Sequence, residues 1–375
     1  MPSIKPFLLE RYFAQYEFTA PFLLSPSDCE SLSLKELLSL ADSDSLTRWE
    51  NLSLGYTDSA GHPVLREEIA RLYGTISVNN ILVLTPEEGI FITMQALLSA
   101  GDEVIVVTPT YQSLFEVAKS IGCQLIEWPL MRSDKRWELN MPALPGLITA
   151  KTKMIVINFP NNPTGFVPGI GDVNQMVTYA RNNGLWIFSD EMYRFLEHDP
   201  SDRIPPIGDL YEKGISLSGM SKAFGLPGLR IGWLATKDRS ALDQCTVYKD
   251  YTTICSSAPG EILALMALRA KEHILGRNLD IIRKNLDLAK SFLEQYPHLF
   301  RWYHPVGGSI TFPEWIGPSK LDRVCQELVD SMGVMVVPGI YFGYTGSHFR
   351  IGLGRLNLPQ VIGELGKFLE SKYGD

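Results

Sequence analysis

Lys222 stands in the run SLSGMSKAFGLPGLRIGW, from Ser216 to Trp233, among small residues and just after an apolar stretch. An amine in such a loop can condense with an aldehyde to form a Schiff base. Arg230, eight residues on, is a planar bidentate cation suited to a phosphate. Aldehyde and phosphate together point to pyridoxal 5′-phosphate (PLP). Most lysines in glycine-rich loops are simply solvated, and the other polar residues decide against that here.

Asp190 follows the apolar run Leu185–Ser189. A carboxylate at a buried strand end can keep a pyridine nitrogen protonated, so that the ring drains electrons from a substrate's α-carbon. Taken singly, an Asp there is more often a helix N-cap. Tyr193 and Asn162 are candidates for the cofactor's phenolic oxygen, although Asn162 lies in FPNNPTG (159–165), a run equally suited to a turn. Tyr111, after Val104–Val107, offers a flat face for ring stacking. For the phosphate, Ser221 adds a hydroxyl. The junction LTPEEG (84–89) adds the Thr85 hydroxyl and the free N–H groups of a helix start at Glu87 and Glu88. Arg350, in HFRIG (348–352), suits a substrate carboxylate, whereas most arginines serve in salt bridges. Only the lysine run is specific alone. The ordered set Tyr111, Asn162, Asp190, Tyr193, Lys222, Arg230, Arg350 is highly specific.

An alternation of helix and strand must position these residues. Helical spacing marks Pro63–Tyr73, Phe91–Leu98, Leu114–Ile121 and about 172–183. Short apolar runs at Val104–Val107, Met154–Asn158, Leu185–Ser189, Gly214–Ser218 and Ile231–Thr236 read as buried strands, with Gln124–Trp128 extended. The expected fold is α/β, a mostly parallel sheet sandwiched by helices. After about residue 265 a smaller α+β lobe is expected. It opens on an amphipathic helix, Gly276–Tyr296, with extended pieces at 309–312, 334–337 and 349–353 and helices near 319–332 and 358–372. The division is then 1–45 packing on the small lobe, 46–265 as the large PLP-binding domain, and 266–375 as the small one. The stretch Phe18–Leu38, with Ser25-Pro26-Ser27-Asp28-Cys29-Glu30, is expected near the entrance to the site; its polar residues could read a substrate, but a surface loop is the commoner outcome.

With 375 residues the chain can form two lobes, and 45 % hydrophobic and 20 % charged residues suit a soluble enzyme. A net charge of -8 argues against a nucleic-acid partner, and no apolar run approaches a membrane span. Cys29, Cys123, Cys245, Cys255 and Cys325 are scattered without CxxC spacing, which favours a reduced cytoplasmic setting over disulfides or a metal site.

From Gly55-Tyr56 to Arg350 the chain resembles the fold-type I PLP-dependent enzymes, in the class I/II aminotransferase group. The resemblance implies an internal aldimine on Lys222, Asp190 at the ring nitrogen, and Asn162 and Tyr193 at the phenolic oxygen. It also implies Tyr111 stacking, Ser221 and Arg230 on the phosphate, and Arg350 on the substrate α-carboxylate. Tyr56 resembles a tyrosine that reaches the neighbouring subunit's phosphate, which implies a homodimer with shared active sites. Two departures stand out. Pro86-Glu87-Glu88 replaces the usual small residues of the phosphate loop, and Pro86 has no N–H. Gly219 stands where a hydroxyl residue is frequent. The expected activity is amino-group transfer between an amino acid and a 2-oxo acid. A lyase, cyclase or racemase at the same site is the alternative, and a non-catalytic regulator a remoter one. No second arginine calls for a dicarboxylic substrate.

Overall fold

The structure, a computed structural model, describes residues 4–133 and 136–374. Eight strands form the central sheet: β1 (Ile81–Leu84), β2 (Glu103–Thr108), β3 (Gln124–Arg132), β4 (Trp137–Leu139), β5 (Thr152–Asn158), β6 (Trp186–Asp190), β7 (Gly214–Gly219) and β8 (Gly232–Thr236). Their spatial order is β1-β8-β7-β6-β5-β2-β3-β4. The pairs from β7 through β6, β5 and β2 to β3 are parallel, whereas β8 is antiparallel to both its neighbours.

The continuous apolar runs have a direct consequence in packing. Side chains alternate across a strand, so Ile105, Val107, Ile155, Ile157 and Ile187 enter one core, with Val173, Met176 and Val177 of the helix Ile170–Asn183. Val104, Val106, Met154, Val156 and Phe188 enter the core on the opposite face. That second core includes residues of the helices Pro86–Leu97, Ser113–Ile121 and Arg239–Asp250. A sheet buried on both faces leaves its strand ends as the place for polar chemistry. Thr108, Asn158, Asp190 and Gly219 end the parallel strands on one edge.

Several boundaries differ from expectation. The first helix of the sheet region starts at Pro86 rather than Phe91, because proline suits the first helical position. Val334–Val337 is two short strands, Val334–Met335 beside Phe22–Leu23 and Val337–Pro338 beside Phe349–Gly352. The long helix begins at Lys271 and runs to Gln295. It joins Leu321–Met332 and Leu358–Tyr373 around the small sheet of Ile310–Thr311, Phe349–Gly352 and Val337–Pro338. The segment after Phe18 is no surface loop. Leu24, Ser25 and Cys29 are fully buried, and backbone bonds tie Leu24 to Met335 and Gly352, and Glu30 to Gly354.

Beside Arg350 on the same strand edge, His348 is fully buried, with both ring nitrogens lacking a partner among the described residues. Trp137, Tyr303, Phe312 and Tyr344 surround it, and Glu314, Arg132 and Arg301 are the charged groups nearby. Burial pulls its pKa down to about 4, against the pull of Glu314. The unfolded chain therefore binds a proton that the folded chain refuses between pH 6.5 and 4, so stability is lost on acidification across that window. The loss amounts to about 3 kcal/mol. Urea unfolding at pH 7 and pH 4 is expected to show this difference shrinking by about that amount in His348→Phe.

Candidate active site

The sheet edge collects the polar residues. Ser221 and Lys222 follow β7 directly, and the Lys222 ammonium donates to Ser27 Oγ at 2.9 Å. Asp190, at the end of β6, is 6 % exposed, and its Oδ1 accepts only the Met192 N–H (3.1 Å) among the described residues. Burial pushes its pKa up to about 7, opposed by that N–H and by the nearby Lys222. The hydroxyls of Tyr193 and Ser221 are buried and have no partner among the described residues.

The next strand end supplies Asn158, whose side chain fixes two loops at once. Its Nδ2 donates to the Asp190 carbonyl (2.9 Å), and its Oδ1 accepts the Asn162 N–H (2.7 Å). Asn162 is thereby turned so that its Oδ1 accepts from Arg350 Nη1 at 3.0 Å. Arg350 is 1 % exposed, and its Nε and Nη2 donate to the Ser25 carbonyl (3.0 and 2.8 Å). Its guanidinium lies 5.0 Å from the Phe342 ring and 5.9 Å from Phe13. Burial lowers its pKa, while Tyr193 and Tyr111 work against that shift. The Tyr111 hydroxyl donates to Glu10 Oε1 at 3.0 Å, and its ring packs 5.0 Å from Phe7.

At the start of the helix Pro86–Leu97 the two glutamates part company. Glu88 turns away: its carboxylate accepts the Thr85 N–H (3.2 Å) and the hydroxyls of Thr252 and Thr253. Glu87 stays, with its pKa pushed up to about 7 by burial first and then by Asp190 and Glu10, while the Ser113 side chain and Arg230 lower it. The two departures from the family pattern explain one another. A Cβ on Gly219 would lie 3.1 Å from Pro86 Cγ and 2.9 Å from Gly232 Cα, and one on Gly232 would lie 2.8 Å from Pro86 Cγ. Gly219 and Gly232 are register partners on β7 and β8, so the proline ring sits where two side chains would be. Arg230, at a left-handed φ of 55°, is exposed and donates to the Pro227 carbonyl.

Lys222, Asp190, Tyr193, Ser221, Asn162, Arg350, Tyr111 and Glu87 therefore gather at one edge of the sheet through hydrogen bonds and electrostatic reach, with Thr85 and Arg230 close to Glu87. Tyr56 lies apart. It is 91 % exposed, in a surface groove with Leu54 and Cys255. Ser25 and Ser27 belong to the stretch expected near the entrance, but not to the candidate residues; Glu10, Phe13 and Asn158 were not foreseen. The helix Leu8–Tyr16 is placed only by tertiary contact, and the strand-end asparagine Asn158 was a readable signal. The donor set fits PLP: among the described residues, an amine whose side-chain partner is a hydroxyl, two buried hydroxyls without partners, and a buried carboxyl without an ion-pair cation.

The sequence pattern of the family described as "Aminotransferase class I and II" matches residues 49–360. An aspartate aminotransferase of Musicola paradisiaca is 28 % identical over 300 residues, covering 77 % of this chain and 74 % of that one. A PLP-dependent aminotransferase from Streptococcus suis superposes with a TM-score of 0.91 at 30 % identity over 98 % of both chains. The PLP-dependent cyclase OrfR superposes at 0.89 and 26 % identity, again over 98 % of both. Matched over most of its length and carrying a cleft that fits the cofactor, this chain belongs to the class I and II aminotransferases and is a PLP-dependent enzyme of that family.

Proposed function

We propose that the cleft transfers an amino group from an amino acid to a 2-oxo acid, with Lys222 as the catalytic base and acid. The bound cofactor supplies an aldehyde carbon and an electron-accepting ring. With that group bound, Lys222 Nζ would take the proton from the substrate's α-carbon as base and give it back as acid. Asp190 holds the proton on the ring nitrogen. Tyr193 Oη and Asn162 Nδ2 serve the phenolic oxygen; Asn162 Oδ1 is engaged by Arg350, which leaves its amide N–H groups for this task. Ser221, Arg230 and the backbone and hydroxyl of Thr85 hold the phosphate. The Glu87 carboxyl, at its raised pKa, can stand beside them protonated. Tyr111 covers the ring, and Arg350 holds the α-carboxylate.

The observation that carries this reading is a lysine amine within electrostatic reach of a buried, unpaired carboxyl, beside buried hydroxyls that lack partners among the described residues. Tyr56, Leu54, Tyr251 and Ile254 form an exposed apolar surface, which supports a homodimer in which Tyr56 reaches the partner's phosphate. Among the described residues no helix is long and apolar enough to cross a membrane. All five cysteines are free, which supports a cytoplasmic setting. The division near residues 45 and 265 fits a large cofactor-binding part and a small part carrying Arg350. The likeness to the cyclase OrfR favours a second reading, cyclisation at the same site. Mixing the holoenzyme with single amino acids and following the cofactor's absorbance separates them. Stoichiometric pyridoxamine phosphate is expected; a cyclised or eliminated product without it would reject transfer.

A further inference from the structure

Lys249, near the end of the helix Arg239–Asp250, is fully buried and takes no part in the proton transfers proposed for the cleft. Its Nζ donates to the Ile254 carbonyl at 3.1 Å, and it forms no ion pair with any described residue. An ammonium enclosed in this way is costly unless nearby anions use its charge. Burial lowers its pKa, opposed first by Glu88 and then by Cys255, Glu261 and Asp250.

The turn after Lys249 shows how that charge is placed. Ile254 is a β-branched residue at a left-handed φ of 65°, a conformation such side chains rarely adopt. The turn closes on Lys249 in both directions. The N–H groups of Thr252 and Ile254 donate to the Lys249 carbonyl (3.0 Å each), and the ammonium donates back to the Ile254 carbonyl. The same turn aims the hydroxyls of Thr252 and Thr253 at Glu88 Oε1, the second at 2.8 Å. Glu88 Oε2 in turn accepts the Thr85 N–H at 3.2 Å. An unbroken run of contacts thus leads from the buried ammonium to the first turn of the helix Pro86–Leu97.

That helix start is where the cofactor's phosphate belongs on the proposed function. A phosphate monoester carries a charge of about −1.5 to −2 at pH 7. Arg230 and the helix start, which is worth about half a positive charge, stand against it, while Glu88 on the same turn adds to the negative side. Glu87 can avoid doing so by keeping its proton, since its pKa is raised to about 7. Glu88 instead needs a cation behind it. We infer that Lys249 is a positioning residue for the cofactor's phosphate: from beneath the Thr252–Ile254 turn its ammonium offsets the Glu88 carboxylate, so that a loop bearing two glutamates accepts a phosphate. The inference rests on the assignment of the phosphate to this loop and extends it to a residue that acts only through another. It also accounts for an acidic residue where the family pattern has small ones.

The test compares PLP with pyridoxal, which lacks the phosphate, by equilibrium dialysis against the protein freed of cofactor. The ratio of the two affinities cancels the ring and aldehyde contacts and reports the phosphate alone. Lys249→Met, close to lysine in shape and without its charge, is expected to lower that ratio about 5- to 10-fold. Adding Glu88→Gln should bring it back to within about 2-fold of wild type, because the uncompensated charge is removed while the amide oxygen still accepts from the threonines. A packing defect at residue 249 would not be repaired by a substitution at residue 88. A ratio unmoved in Lys249→Met, or one that Glu88→Gln fails to restore, overturns the inference. Should Lys249→Met no longer bind pyridoxal, Glu88→Gln alone decides: its ratio is expected to rise, and an unchanged or lower ratio overturns the inference. A wild type that binds PLP and pyridoxal equally overturns the assignment of the phosphate, and the inference with it.

Discussion

Replacing Lys222 with alanine is expected to slow the half-reaction by about 10⁴-fold or more. On the proposed role two tasks would rest on one nitrogen: the covalent anchoring of the cofactor, and the movement of a proton between two carbons. Among the described residues the amine's side-chain partner is Ser27, a hydroxyl far too weak a base to take over its proton transfer, and Asp190 has its own place at the ring nitrogen on the proposed reading. Stability should change little, because the amine's one side-chain bond is to a half-buried serine and is worth about 1 kcal/mol. The loss is therefore in chemistry and not in folding. Single-turnover absorbance measures it directly. Borohydride treatment of wild type with PLP should fix the cofactor on Lys222, and the variant should remain unlabelled. Turnover within 10-fold of wild type, or label on another lysine, would remove this residue from its role.

Much of this arrangement was legible in the sequence because parallel strands buried on both faces leave a strong trace. Val104–Val107 and Met154–Asn158 read as strands, and the polar residues just beyond such runs, Tyr111, Asn162, Asp190 and Lys222, fall on one edge. Direction left no trace. Ile231–Thr236 is as apolar as its neighbours, yet β8 runs the other way, since hydrophobicity carries no sense of orientation. Coupled substitutions were equally hidden. Pro86 and Gly219 looked like two separate departures, but the proline ring and the missing side chain occupy the same space. The N-terminal contributions were hidden for a different reason. Ser25 and Ser27 lie in a segment with no period, held by backbone bonds to strands more than three hundred residues away. Composition marked it as a loop at the surface, whereas pairing made it an inner wall of the cleft.

That wall bears on how the enzyme works. Arg350 is held by the Ser25 carbonyl and Asn162, and Asn162 is held through Asn158 to the backbone of Asp190. The group suited to a carboxylate and the group suited to a ring nitrogen are thus joined by a continuous chain of hydrogen bonds. Such a chain fixes the separation between the substrate's charged end and the cofactor ring, which is the geometric requirement for bringing the α-carbon to Lys222.

Asp190→Asn is expected to lower single-turnover rates by about 10²–10³-fold, because on the proposed role it would take the anion away from the bound ring's nitrogen and leave that cation without a partner. The amide keeps the shape of the carboxylate and can still accept the Met192 N–H, so the loop should hold. What it cannot do is stabilise a positive ring. The carboxyl's own titration provides a second readout. Burial raises its pKa to about 7. A cationic ring nitrogen binds the carboxylate form, so below that pH a proton must first be displaced. In wild type, cofactor affinity should therefore climb as pH rises to about 7 and level off above it. Asparagine has no proton to lose at that position. The ratio of the two proteins' affinities, measured from pH 5.5 to 8.5, cancels the titration of the cofactor itself. It should rise toward about 10-fold per pH unit on the acid side and become flat above the pKa. A ratio independent of pH, together with an undiminished rate, would show that Asp190 caps its loop and does nothing to the ring.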